Sequence, residues 1–321
     1  YTTARRDEFA TAAARIGADP ALPFGLAFNL SYRGMPDSTN PVSYTNAMPL
    51  EITRTGVNHA NDYPGWSVGR DAMGAVRAIW RDVVTVRFLE DRAERRRVAC
   101  EAKLITLQFL YYWQQEIDPE WSVADDEGFD TPYNIEDNAC PEIPAELRPL
   151  ERHLPVMPYV REGRRIVAMH MLTARDIFRD STVSPVSANG FATSLASGDY
   201  GTDLHNCRGD DTLEADLGED ASDGSGGGFF EGPFESFIPE LIDGFLPAEK
   251  NLGMTRLANG AMRLQPIAML TGQASGVIAA LAVRDDVQPR ALDPLRVQLA
   301  LVDAGAAVSR FPFGDVPSGH P

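Results

Sequence analysis

The sequence predicts a mixed chain of helices and strands, an α/β or α+β fold, and three observations carry that reading. Val98, Ala102, Ile105, Phe109 and Tyr112 recur at helical spacing and define one apolar face. The apolar run Ile166-Val167-Ala168-Met169-His170-Met171-Leu172 predicts a buried strand. A strand candidate over Gly244–Leu252 is then followed by a small-residue helix that opens at Pro266, a first-turn position where proline is tolerated.

Taken in order, Arg5–Ile16 predicts a short helix with Phe9, Ala12, Ala13 and Ile16 on one side. Pro20, Pro23, Gly25, Gly34, Pro36 and Pro41 then break the chain, leaving Leu26–Tyr32 as a strand candidate. Asn58–Asp62 reads as a solvated polar turn. Residues 71–118 read as helical, with Trp113 and Ile117 extending the apolar face. The run Glu94-Arg95-Arg96-Arg97, set among Glu90, Asp91 and Glu101, predicts a solvated face laced by ion pairs one turn apart. Prolines at 119, 132, 141, 144, 149, 155 and 158 exclude a long helix or a central strand from the next stretch, which reads as a connector. His170 reads as a hydrogen-bonded core histidine. The helix after Pro266 carries Ala268, Met269, Gly272, Ala274, Gly276, Ala279 and Ala282, small enough to lie close to a sheet or a ligand. A last helix, about Pro294–Ala304, carries Leu295, Leu299 and Val302.

Composition narrows the classes of function. Of 321 residues, 44 % are hydrophobic and 23 % charged, which excludes wholesale disorder. With 46 acidic against 29 basic residues the net charge is −17. That balance argues against nucleic acid as a partner, and against an anionic membrane surface. It suits a secreted or a cytoplasmic protein equally. Cys100, Cys140 and Cys207 are far apart and form no CxxC pair, so no metal site is expected and one disulfide stays open.

Most familiar catalytic motifs are missing. The sequence has no GxxxxGK[ST], no GxSxG and no HExxH. Ser225–Gly228 is glycine-rich, yet it follows seven acidic residues between Asp210 and Asp223 that would repel phosphate. The acidic segment lacks the residue order of an EF-hand and reads as a surface loop.

One ordered set of short motifs remains. It runs Arg161-Glu162-Gly163-Arg164-Arg165-Ile166, Gly198-Asp199-Tyr200-Gly201-Thr202-Asp203-Leu204-His205, Gly232-Pro233-Phe234-Glu235 and Ile238-Pro239. It continues with Ala248-Glu249-Lys250-Asn251-Leu252, then Arg256 through Pro266, then Gly272-Gln273-Ala274-Ser275-Gly276. This set resembles the C-terminal half of bacterial FAD-dependent oxidoreductases with a glutathione-reductase-type FAD domain, some of which carry a xanthan-lyase label. The resemblance covers about residues 155–305. It implies a substrate-side helical region with a Pro-rich connector over 1–158, the C-terminal part of the FAD-dependent oxidoreductase domain over 159–305, and a tail over 306–321.

The resemblance also implies roles. Glu249, Lys250 and Asn251 correspond to a strand end beside the flavin ribityl chain. Leu264, Gln265, Pro266 and Ile267 correspond to the start of a helix that points at the flavin pyrimidine ring. Free N–H groups and the helix dipole there favour the negative charge of reduced flavin. Many relatives carry Ala-Gly-Arg or Ala-Gly-Lys where this chain has Ala-Glu-Lys-Asn. Arg263 is expected to face flavin or substrate, with a surface arginine as the other reading. His205 is the expected acid/base, because imidazole titrates near neutral pH. Arg161, Arg164 and Arg165 hold an anion or pair with Glu162.

The GxGxxG unit of that family is absent, and the chain starts at Tyr1 rather than Met. Together these predict a processed chain or one piece of a longer polypeptide, with a complementary chain carrying the GxGxxG unit as partner. The expected activity is oxidation of a small-molecule substrate, with hydride transfer to the N5 of FAD. The alternative from another class is a non-catalytic binding or assembly subunit built on a degenerate flavoprotein half. A sugar-active lyase ranks lower, since no catalytic pair stands out among the 46 acids.

Overall fold

A computed structural model describes residues 3–15, 20–21, 34–36, 52–55, 66–70, 76–80, 87–123, 140–141, 143–155, 159–177, 191–203 and 229–309. The chain divides into two units between Tyr159 and Val160. Leu26–Tyr32, Asn58–Asp62, His205 and the acidic segment 209–228 lie outside the described residues.

The first unit opens with α1 (Thr3–Arg15), followed by β1 (Gly34–Pro36) paired antiparallel with β2 (Ile52–Thr55). A second antiparallel pair, β3 (Trp66–Arg70) and β4 (Val76–Trp80), lies in full register from Trp66↔Trp80 to Arg70↔Val76. Within residues 71–118, read as helical, this corrects residues 76–80 to strand. Val76, Ile79 and Trp80 are β-branched or aromatic and favour a pleated strand over a helix. The described helices of that stretch are α2 (Arg87–Glu90) and α3 (Arg92–Glu116). Asp91 caps α3 by accepting from the N–H groups of Ala93 and Glu94 at 2.8 and 3.3 Å.

The predicted face of α3 holds. Val98, Phe109, Tyr112 and Trp113 are buried, and Phe9 of α1 packs on Phe109 with ring centroids 5.1 Å apart. The predicted ion-paired face holds as well, with Arg97 donating to both Glu94 and Glu101. Cys100 on α3 forms a disulfide with Cys140, Cα atoms 5.1 Å apart. The disulfide packs with Leu107, Ile143 and Leu154, beside a 3₁₀ helix over Ala145–His153.

In the second unit, β5 (Ser194–Asp199) pairs antiparallel with β6 (Phe229–Pro233), and α4 (Ala174–Ile177) is a single turn. The helices α5 (Arg256–Met262), α6 (Gln265–Asp285) and α7 (Pro294–Asp303) complete it. Leu195 and Phe230 of the hairpin share one core with Ile267, Ala274 and Ile278 of α6 and with Val297 and Leu301 of α7. The other face of α7 is open, so Leu295, Leu299 and Val302 are exposed. By length and composition α6 would also suit a membrane span. Its Ile267–Thr271–Ala274–Ile278 face is instead buried in this core.

The chain therefore mixes helices with small sheets, as predicted, but two predicted strands are not strands. Residues 166–172 make only isolated bridges, Ala168 with Pro239 and Leu172 with Met254. Pro239 has no N–H to extend a ladder. The segment changes partners instead: Met169 donates to Ile238 O at 2.9 Å, whereas Leu172 donates to Gly253 O at 2.9 Å. Val167 and Met169 point to solvent, so the run is not buried throughout. Gly244–Leu252 is coil closing in a short 3₁₀ turn at Glu249–Asn251. Glu249 sits at φ 57°, in the left-handed region that ends any extended run.

Candidate functional site

The site region begins where residues 247–251 lie on α6. Thr271 and Ser275, one turn apart on α6, hold this stretch: Glu249 N donates to Thr271 Oγ1 at 3.2 Å and Ser275 Oγ donates to Pro247 O at 2.6 Å. Glu249 is exposed. Lys250 Nζ donates to Val160 O at 2.7 Å, and Asn251 Nδ2 donates to Arg164 O. These two side chains thus tie the turn to residues 160–166.

Glu249 sits in the left-handed region, which glycine adopts without a Cβ penalty. Glu249→Gly is therefore expected to raise stability by about 1 kcal/mol. Chemical denaturation of the two proteins checks this, and an unchanged or lowered midpoint would show that the backbone there is not strained.

α5 is buried at every position, an unusual setting for its polar residues. Thr255 caps it, accepting from Ala258 N at 3.2 Å. Arg256 Nε sits 3.2 Å from both carboxylate oxygens of Glu162. Asn259 is completely buried, and neither its Oδ1 nor its Nδ2 has a hydrogen-bond partner. Arg263, at the C-cap of α5, is only 4 % exposed, which removes the surface reading. One of its terminal nitrogens donates to Asp203 O at 2.6 Å and to Asp203 Oδ2 at 3.1 Å, while its Nε has no partner. Orphaned buried polar atoms cost roughly 1–3 kcal/mol each. Three of them within five residues mark a place where the fold alone is incomplete.

α6 starts directly after Arg263. Leu264 is its N-cap, with no side chain closing the first turn, and Pro266 stands near the start as predicted. The free donors of a long helix therefore lie next to the orphaned atoms of Asn259 and Arg263 in the chain. Asn259 lies within the Arg256–Pro266 motif, in which the sequence assigns it no role. The available signal was an amide followed by glycine, two poor helix formers, inside an otherwise apolar turn.

A second titratable cluster lies at residues 170–176. His170 Nε2 is 3.5 Å from Asp176 Oδ2, and its ring stands edge-on to Phe191. The predicted core histidine is thus a half-exposed member of an ion pair. Asp176 also accepts from the Thr173 N–H at 2.8 Å and the Thr173 hydroxyl at 2.9 Å. The facing Asp176 carboxylate raises the His170 pKa above its ordinary value, against the opposing effect of burial, and Glu235 adds to the rise. Burial pushes the Asp176 carboxyl up, but the facing His170 and the bonds from Thr173 outweigh it and hold the carboxyl below its ordinary value.

A raised histidine pKa stabilises the fold fully below the unfolded value, and that stabilisation is lost as pH rises through the folded value. As pH rises above about 6.5 the wild type should therefore lose stability relative to His170→Gln. Denaturation midpoints across that range check the expectation, and a pH-independent difference between the two proteins would refute it. Asp176 contributes above its unfolded pKa and ceases to contribute only in acid.

Comparison with known proteins decides the class. A family model described as FAD dependent oxidoreductase matches residues 35–301, most of the chain. The chain belongs to the FAD-dependent oxidoreductase family. The match begins well before residue 155, so the region upstream of the recognisable motifs is part of the family domain too. No curated protein and no solved structure matches the chain.

FAD is accordingly the cofactor of this oxidoreductase, and the residues present fit it. Asn259 offers an unpaired donor and an unpaired acceptor, Arg263 a further unpaired donor, and α6 an N-terminus without a capping side chain. Among the described residues, no three His, Cys, Asp or Glu side chains come together as a metal site would require.

Proposed function

We propose that this chain forms the flavin-facing half of a glutathione-reductase-type FAD site and oxidises a small organic substrate. The observation that carries the reading is the family match over residues 35–301 together with the unsatisfied polar group of Asn259 and Arg263 ahead of α6. Bound FAD would supply the two-electron acceptor, taking hydride at N5 from a C–H bond of the substrate. Gln265 and Ile267, in the first turn of α6, would favour the negative charge of the reduced ring through their N–H groups. Leu264 and Pro266 shape that turn, and residues 249–251 would border the ribityl chain. Arg263 would add a fixed positive charge. His205 would take the proton from the O–H or N–H next to the oxidised carbon.

The adenine end needs a GxGxxG turn, because pyrophosphate binds where a glycine-rich loop opens a helix. This sequence has no such motif. We place it on a complementary chain or segment, with this chain as a subunit or fragment of the whole enzyme. The same absence favours the second reading, a non-catalytic assembly subunit.

A visible absorbance spectrum of the native preparation, with intact masses of every chain in it, separates the two. Flavin bands together with a second piece bearing GxGxxG support the split flavoenzyme, and bleaching of those bands then screens polyols, sugars, amines and amino acids as substrates. Absence of flavin with every partner present would leave the assembly reading and remove the roles given to His205 and Arg263.

A further inference from the structure

Asn259 is fully buried, and it lies in a helix whose every residue is buried. Leaving both atoms of an amide without partners there is costlier than carrying an apolar side chain of the same shape. An amide presents one donor and one acceptor side by side. The imide edge of a flavin pyrimidine ring, an N–H flanked by carbonyl oxygens, presents the complementary pair. Arg263 Nε, an unpartnered donor one helical turn further along, matches a second carbonyl oxygen. One of its terminal nitrogens is already committed to Asp203, whereas Nε has no partner.

We propose that Asn259 binds the imide edge of the flavin, with Nδ2 donating to a ring carbonyl and Oδ1 accepting from N3–H, and that Arg263 Nε donates to the neighbouring carbonyl. The inference rests on the FAD reading and adds to it the residue that holds the ring. Because Asn259 supplies no charge and no proton, its role is binding and orientation.

The test titrates the protein, freed of flavin but with all its chains, against FAD and against FAD methylated at N3. Asn259→Leu is expected to weaken FAD binding by about tenfold or more. The flavin-free Asn259→Leu protein should melt at or above the wild-type temperature, because two orphaned atoms are gone. Methylation at N3 should weaken binding to the wild type and leave binding to the variant unchanged. If Asn259→Leu does not fold, Asn259→Ala is scored by the same criteria. Equal FAD affinity in variant and wild type overturns the proposal, and so does a methylation penalty that is the same in both. A wild-type protein that binds no FAD with every chain present overturns the flavoenzyme reading itself, and this inference with it.

Discussion

Replacing Gly253 by alanine is expected to destabilise the second unit by on the order of 3 kcal/mol, because the site has no room for a methyl group. A Cβ built there lies 2.1 Å from Ala168 Cβ, 3.3 Å from Ala168 Cα and 3.2 Å from His170 O. None of these atoms is the free end of a flexible side chain. The backbone has no slack either: Gly253 N donates to Ser236 O and Gly253 O accepts from Leu172 N, both at 2.9 Å. Relief requires moving residues 168–172 away from 251–255, which breaks the bonds that replace the missing strand. The melting temperature should fall by about 6 to 12 °C. Ala168→Gly in the same protein should recover much of the loss, since it removes the nearest atom. Gly272→Ala, on the open face of α6, is the matched control. Nothing lies within 4 Å of its Cβ, and a helix-interior glycine replaced by alanine gains roughly 0.5–1 kcal/mol. If both alanines leave the melt unchanged, the close packing of Gly253 on Ala168 is wrong.

Arg263→Met is expected to cost about 2 kcal/mol of stability, because Asp203 loses the donor to its carbonyl and its carboxylate while the buried methionine restores only the packing. In the flavin-loaded protein a second effect should appear. On the proposed site, removing this buried cation would disfavour the reduced, anionic form, and 2 kcal/mol of that kind lowers a two-electron potential by about 40 mV. Arg263→Lys should keep most of the potential, since it keeps the positive charge. Spectroelectrochemistry of the bound flavin distinguishes the outcomes. A potential unchanged in Arg263→Met, with stability reduced, would make Arg263 a strut for the Asp203 segment and nothing more.

The parts of this protein that could be read directly are those decided within a few residues. The apolar face of α3, the ion pairs of Arg97, and the starts of α6 and α7 at prolines follow from helical periodicity and from the missing proline N–H. The motifs between 161 and 276 pointed to FAD because family chemistry repeats short patterns in order, and the family match agrees.

Other features depended on residues far away along the chain. The apolar run at 166–172 has the composition of a strand, yet its neighbours are Pro239 on one side and a left-handed turn after Glu249 on the other, so no ladder forms. Strand β4 adjoined a strong helical pattern, and its β-branched residues outweighed the extension of that pattern. Cys100 and Cys140 offered no spacing rule to pair them.

By itself the sequence determined the apolar face of α3, the proline starts of α6 and α7, the acidity and the cofactor class, because each of these is local or compositional. Only the tertiary structure decided that Arg263 is buried against Asp203 and that Asn259 is buried with no partner. The physical reason is that burial and hydrogen-bond satisfaction belong to pairs of segments, and the partner of Arg263 lies 60 residues earlier in the chain.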